Sequence, residues 1–279
     1  MTRRTIREPF TLDGVGLHTG RPTRVRCLPA VEGGGIVFIR ADRPEDAPVR
    51  AVFDAVSDAT RAITLGAAAP VRTVEHLLAT AAVLGVTDLR VEVDGEELPA
   101  LDGSALPIAD AMRAAGIVDL EGPQSVLRLS GPLYVADGEA SMLALPAQEL
   151  RLTYVVPLRT QALGTQIVDV RARAFPTLLD ARTWGYVDDV ENLRAAGLAR
   201  GARRENALGI GSAGYLTPPR GVDEPARHKA LDLLGDLSLL GRPLEAHVIA
   251  VAAGHRLHLA MVRRILETEA REPRDGTGP

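Results

Sequence analysis

Lysine is almost absent from this chain. Of its 32 basic residues only Lys229 is a lysine, and the rest are arginines. Cysteine is as scarce. The single Cys27 excludes an internal disulfide and any multi-thiolate zinc cluster, so a bound metal would have to use His, Asp or Glu. Cys27 itself reads as a small buried apolar residue. Excess charge is lacking too: a formal net charge of −4 gives no electrostatic basis for binding nucleic acid or an anionic membrane surface. No apolar run approaches the ~18 residues of a membrane-spanning helix. The N-terminal MTRRTIREPFTLDGVG has no apolar stretch of the about 7–15 residues that a signal peptide needs. A soluble, cytoplasmic protein without stable membrane insertion is expected, with a small molecule or another protein as its partner.

What is present is globular. Apolar residues at 46%, charged residues at 24% and a length of 279 residues suit two domains, each able to bury a core. The first 40 residues alternate short apolar runs with glycine-rich turns such as GVGLHTG, a β pattern; residues 41–70 read as an excursion. TVEHLLATAAVL has apolar residues at 74, 77, 78, 81 and 84, which predicts a helix over Thr73–Leu84 closed by Gly85. Thr73 is its candidate cap, with Glu75 in the first turn. DLRVEV reads as a strand and DGSALPIADAMRAAG as a turn leading into a helix. The strand pattern restarts near 122, which puts a boundary at 121–125. Further on come a helix at 187–196, an irregular stretch at 200–222, and the helix PARHKALDLLGDLSLLG, with Pro225 near its first turn and Gly241 as its stop. The strand AHVIAVAAG and the helix HLAMVRRIL follow, and TEAREPRDGTGP reads as a disordered tail.

HLLATAAVLG (76–85) and DLLGDLSLLG (232–241) share leucines at three aligned positions and a final glycine. Either the chain contains a duplicated unit, with His76 and Asp232 in equivalent positions, or two amphipathic helices agree by chance. His228, Asp232 and Asp236 are spaced i, i+4, i+8, so they fall in a row on one helix face. The plain reading is a solvated polar face. The chemical one is a metal site, in which His76, His228 and Asp232 as ligands would leave a zinc ion one open position. Glu75, beside His76, then resembles the base of a metallohydrolase. His255, after the last strand, is placed on a loop, where a mobile general acid often sits. His18 lies in a glycine turn that no helix follows, so it is not a phosphate loop. His247 and His258 read as structural.

Taken in order, GVGLHTG, TVEHLLA, LDGSA, LGTQ, ARTWGYVDDVENLRAAGLARG, RHKALDLLGDLSLLG and the final GH resemble the zinc-dependent UDP-3-O-acyl-N-acetylglucosamine deacetylases. That family catalyses the committed step of lipid A synthesis in Gram-negative bacteria, and the resemblance spans nearly the whole chain. It implies an α+β fold of two similar, pseudo-symmetric domains, each a sheet layered against helices, facing each other across the active site. Here these would be 1–122 with an insert near 41–70, and 123–267 with an insert near 183–210, followed by the tail 268–279. It also implies that His76, His228 and Asp232 bind zinc, with iron(II) as the other candidate, and that Glu75 is the general base. His255 would be the general acid, Asp236 would orient it, and Thr183 would meet the oxyanion. Lys229, Trp184 and Tyr186 would contact substrate, and His18 would lie near its nucleotide end. A monomer acting on an acylated nucleotide sugar is expected. At 229 a compact ammonium suits a crowded site better than the planar fork of arginine.

The match departs from the family pattern at GARRENA (201–207), Pro225, Ala226, Ala253 and His258, none of them a ligand or proton carrier. These departures imply an altered acyl-chain preference rather than a different reaction. A paralogue acting on another N-acetyl sugar, or a non-catalytic metal-binding protein on the same fold, are the alternatives.

Overall fold

The computed structural model describes residues 2–31 and 33–271. Its architecture is mixed α+β. In one sheet, β1 (Phe10–Val15), β2 (Pro22–Pro29), β3 (Ile36–Arg40), β4 (Val49–Arg50) and β5 (Leu89–Val93) run in the order β1-β2-β5-β3-β4. In a second, β6 (Leu133–Asp137), β7 (Ala140–Pro146), β8 (Arg151–Pro157), β9 (Thr165–Arg171) and β10 (Leu244–Val251) run β6-β7-β10-β8-β9, with Leu127–Arg128 added against β10. Along each path one pair is parallel, β3 with β5 and β8 with β10, and the remaining pairs are antiparallel. The strand Thr2–Ile6 pairs with Ile117–Pro123, so the first stretch of chain closes on itself with a strand that runs into the expected boundary at 121–125.

Period-two burial builds both cores, because alternate side chains of a strand share a face. Val25 and Cys27 of β2 and Val91 of β5 pack with Phe38, with Leu77 and Leu78 of α1 (Glu75–Leu84), and with Met112 of α2 (Leu106–Ala114). Burial pushes the Cys27 thiol up, so it stays protonated as a core residue. Beyond the short α3 (Val190–Ala195), Leu231 and Leu234 of α4 (Glu224–Leu237) and Met261 of α5 (His255–Arg271) cover Leu152 and Val248 of the second sheet. The cores interlock: Ala79, Ala105 and Ala109 enter the second, and Leu239 enters the first. A leucine fully buried in this way is worth about 1.5–3 kcal/mol.

The prediction of a helix opening at Thr73 is corrected. Val74 occupies the cap position, and Thr73 sits at φ 60° with its hydroxyl donating to Glu97 Oε1 at 3.1 Å. A β-branched residue at positive φ is strained, and strain persists only where the surroundings fix it. The predicted helix at 187–196 shrinks to α3, entered through a 3₁₀ turn at Val187–Asp189. The stretch 200–222 is not wholly irregular, since Leu208–Gly211 pairs with Trp184–Tyr186 and with Gly214–Tyr215. His255 heads α5 instead of sitting on a loop, and α5 runs through Arg271 into the segment read as tail; 272–279 lie outside the described residues. No helix among the described residues is long and apolar enough to cross a membrane.

Helices α1 and α4 cross with their backbones in contact. A Cβ on Gly235 would lie 2.2 Å from the Glu75 carbonyl oxygen, a rigid neighbour that cannot give way. Gly235→Ala should therefore force the helices apart and destabilise the fold by about 1–3 kcal/mol, the usual cost of overpacking. Chemical denaturation checks this; an unchanged midpoint and slope would remove the close crossing as a constraint.

Candidate metal centre and active site

The row predicted on α4 exists, and α1 lies over it. His228, Asp232 and Asp236 follow one another along the buried side of α4, while Glu75 and His76 come from the first turn of α1. Asp232 Oδ1 is 3.4 Å from His228 Nε2 and 3.7 Å from His76 Nε2, and the three donor atoms lie within 4.8 Å of one another. Donors about 2.0–2.2 Å from one zinc ion stand roughly 3.3–3.6 Å apart at tetrahedral angles. The donor set therefore fits a divalent ion. His228 Nδ1 donates to the Ala181 carbonyl at 3.1 Å, which turns Nε2 towards the other two donors. Lys229 Nζ donates to Asp232 Oδ2 at 2.8 Å and leaves Oδ1 facing the histidines. Burial pushes His228 down to about 4, so the ring is neutral, as a ligand must be. For Asp232 burial works the other way, but His228 and Lys229 outweigh it and hold the carboxyl well below the usual range.

Next to this set, Glu75 Oε2 accepts from the Ile63 amide at 3.1 Å, and Oε1 is 3.9 Å from His255 Nε2. Burial raises the proton affinity of Glu75. Burial would lower that of His255, but Asp236, whose Oδ2 accepts from Nδ1 at 2.7 Å, outweighs it and lifts the ring to about 9. One carboxylate is thus made more basic and one imidazole kept cationic, side by side, which is how acid and base roles are divided.

The remaining predicted residues line the same cavity of about 1070 Å³, which also takes in His76, His228 and His255. Thr183 is held by its amide on the Gly103 carbonyl at 2.7 Å and by its carbonyl under the Leu208 amide at 2.8 Å. Trp184 Nε1 donates to the Pro225 carbonyl at 3.2 Å, and the Trp184 and Tyr186 rings meet edge to face at 5.7 Å. The Arg159 guanidinium lies over Tyr186, 3.7 Å from the ring centre. His18 is buried, and burial lowers its proton affinity. Its amide and that of Thr19 each donate to Glu97 at 2.7 Å.

Glu97, Arg182 and Glu224 have no role in the sequence reading, and His258 reads there only as structural. Glu97 ties the GVGLHTG turn to Thr73. His258 donates from Nδ1 to Asp236 Oδ2 at 2.7 Å, beside His255, and its Nε2 lies 2.8 Å from Tyr154 Oη. Arg182 and Glu224 form a buried pair, with Nε donating to Oε1 at 2.8 Å and the Arg182 amide to the same oxygen at 3.0 Å, which fixes the start of α4 against Ala181 and Thr183. None had a local signal, because each partner lies far away in the chain.

Burial opposes ionisation of Glu224, yet the hydrogen bonds from Arg182 and the Arg220 amide hold its proton affinity below the ordinary value. A carboxylate depressed in this way stabilises the fold above the unfolded value of about 4.3, and the contribution is lost as pH falls through the lower folded value. Arg182→Met leaves the acid buried and unpartnered by charge. It should cost about 3–5 kcal/mol at neutral pH and much less at pH near 4, where Glu224 can take up a proton. Urea denaturation at the two pH values checks this; equal losses at both would mean that the pair's charge is irrelevant.

The family model for UDP-3-O-acyl N-acetylglycosamine deacetylase (LpxC) matches residues 3–267. Among curated proteins, the UDP-3-O-acyl-N-acetylglucosamine deacetylase of Thermosynechococcus vestitus is 40% identical over 269 residues, covering 95% of this chain and 94% of its own. Those of Phenylobacterium zucineum and Synechocystis sp. are each 40% identical, covering 95% of this chain and 93% and 98% of their own lengths.

Proposed function

Because the chain belongs to the UDP-3-O-acyl N-acetylglycosamine deacetylase family, we propose that it hydrolyses the N-acetyl group of UDP-3-O-acyl-N-acetylglucosamine, releasing acetate, in the committed step of lipid A biosynthesis. The observation that carries this reading is the placement of Glu75 and His255 3.9 Å apart, beside a two-histidine, one-aspartate donor set. His76, His228 and Asp232 would hold the metal. Zinc is the ion proposed, with iron(II) compatible with the same donors. When bound, a divalent ion there supplies Lewis acidity towards the acetyl carbonyl and makes a water easier to deprotonate.

Glu75 Oε1 takes a proton from the attacking water, whose oxygen joins the acetyl carbon. The Thr183 hydroxyl donates to the carbonyl oxygen as negative charge grows on it. The C–N bond then breaks, its electron pair goes to the nitrogen, and His255 Nε2 supplies the proton that lets the amine leave. Asp236 orients His255 and holds it cationic. Lys229 keeps Asp232 turned towards the histidines and contacts substrate with its remaining donors. Trp184 and Tyr186 border the sugar and acyl part, and His18 the nucleotide end. Arginines at 61, 194, 203 and 204 on the cavity wall suit the substrate's diphosphate. The like strand orders of the two sheets support reading residues 1–122 and 123–267 as a duplicated pair of domains with the site between them. A monomeric, cytoplasmic enzyme fits this substrate.

Three outcomes follow. Glu75→Ala should lose on the order of 10²-fold or more in kcat while retaining the metal, and His228→Ala should lose both metal and turnover; metal analysis with acetate release measures each. Metal binding without acetate release from the wild type would keep the donor set and sink the substrate. Against a series of acyl donors, the departures at 201–207, 225, 226 and 253 should give an altered chain-length optimum.

A further inference from the structure

Behind the acid lies a second histidine whose connections run inward, away from the cavity. His258 is on the first turn of α5 and is fully buried. Its Nδ1 meets the same oxygen of Asp236 as His255 does, each at 2.7 Å, and a carboxylate can only accept, so both rings donate to Oδ2. The two rings stand 75° apart in plane, so they approach that oxygen from different directions. Asp236 Oδ1 has no hydrogen-bond partner among the described residues. The two imidazoles are thus what fixes the carboxylate about its soft terminal torsion. His258 is held in turn: its Nε2 lies 2.8 Å from Tyr154 Oη, and the single hydrogen of that hydroxyl can go either to this nitrogen or, at 2.7 Å, to the carbonyl of Ala253. Ala253 follows Ala252, which is strained at φ 50°, and the segment leads directly into His255. Tyr154 Oη therefore stands between the turn that launches α5 and the ring behind Asp236, within hydrogen-bonding reach of both.

We infer that His258 is a positioning residue for the deacetylation: with Tyr154 behind it, it locks Asp236 in the orientation that keeps His255 Nε2 turned towards Glu75. The inference rests on the function proposed above. His258 touches no reacting atom. It acts by denying Asp236 the rotation that a single donor would permit, and a misdirected acid slows the breaking of the C–N bond without weakening substrate binding.

The test compares His258→Leu with His258→Asn in the full-length, metal-loaded protein, and repeats the comparison on the metal-free protein by NMR. Leucine removes the donor. Asparagine offers an amide N–H to Asp236 and should rescue. The expected result is a fall of about 10–100-fold in kcat for His258→Leu, the range seen when a supporting hydrogen-bond partner is lost. KM and metal content should be unchanged, and most of the activity should return in His258→Asn. In the metal-free protein, the downfield Nδ1 proton resonance of His255, which requires a fixed hydrogen bond to Asp236, should persist in wild type and His258→Asn and broaden away in His258→Leu. Wild-type kcat together with an intact resonance in His258→Leu overturns the inference. So do equal losses in both variants that track the fraction of folded protein, because that pattern marks a merely structural residue. If the wild type itself releases no acetate, the substrate reading falls, while the resonance comparison still decides the role of His258.

Discussion

The site depends first on the absence of one side chain. At Gly235 the backbone of α4 passes directly under the Glu75 carbonyl, and only this contact between main chains brings the first turn of α1 within reach of the polar face of α4. Two helices kept apart by ordinary side chains would hold His76 and Asp232 on neighbouring surfaces, too far apart to share an ion. The strained Thr73 just ahead of α1 is tolerated for the same reason, since Glu97 and the Ile63 carbonyl hold it from both sides. Glycine in the middle of a helix ordinarily costs about 1 kcal/mol relative to alanine. Here that cost permits the crossing.

Bringing the helices so close concentrates charge. Glu75, Asp232 and Asp236 are all buried, within one cluster that also holds His228, His255 and Lys229. Buried charges are tolerable only when paired and hydrogen-bonded, and each carboxylate here meets the requirement differently. Asp232 has an ammonium and two imidazoles, Asp236 has two imidazole N–H groups, and Glu75 has one backbone amide and a more distant ring. The least supported of the three has its proton affinity raised. The role proposed for Glu75 thus follows from how few donors reach it.

Features set by local periodicity were legible in the sequence. The i, i+4, i+8 row on α4, the glycine that closes α1 and the alternation of the strands each need only a few neighbouring residues; α4 itself stops at Leu237, and the predicted stop Gly241 caps the 3₁₀ turn Ser238–Leu240 that follows. Features set by distant partners were not. Thr73 resembled a helix cap because nothing nearby shows that Glu97, 24 residues on, claims its hydroxyl. His255 reads as a loop residue because the tight turn at Ala252 lets α5 begin sooner than the apolar pattern suggests. His258 looked like an isolated core histidine, and its meaning comes from Asp236 and from Tyr154, 104 positions away. A readable trace of the crossing existed in Gly235, since a glycine inside an otherwise strong helix pattern often marks close packing.

The scarcity of lysine has a consequence of another kind. Lys229 carries the only side-chain primary amine in the chain, and its ammonium stands 2.8 Å from an oxygen of Asp232 while remaining partly open to solvent. Any chemistry that acylates, carbamylates or cross-links lysine side chains has a single address in this protein, and that address is the rim of the proposed metal site. Arginine elsewhere offers no second lysine to such reagents, so side-chain modification that would scatter over most proteins is confined here to one position beside the proposed site.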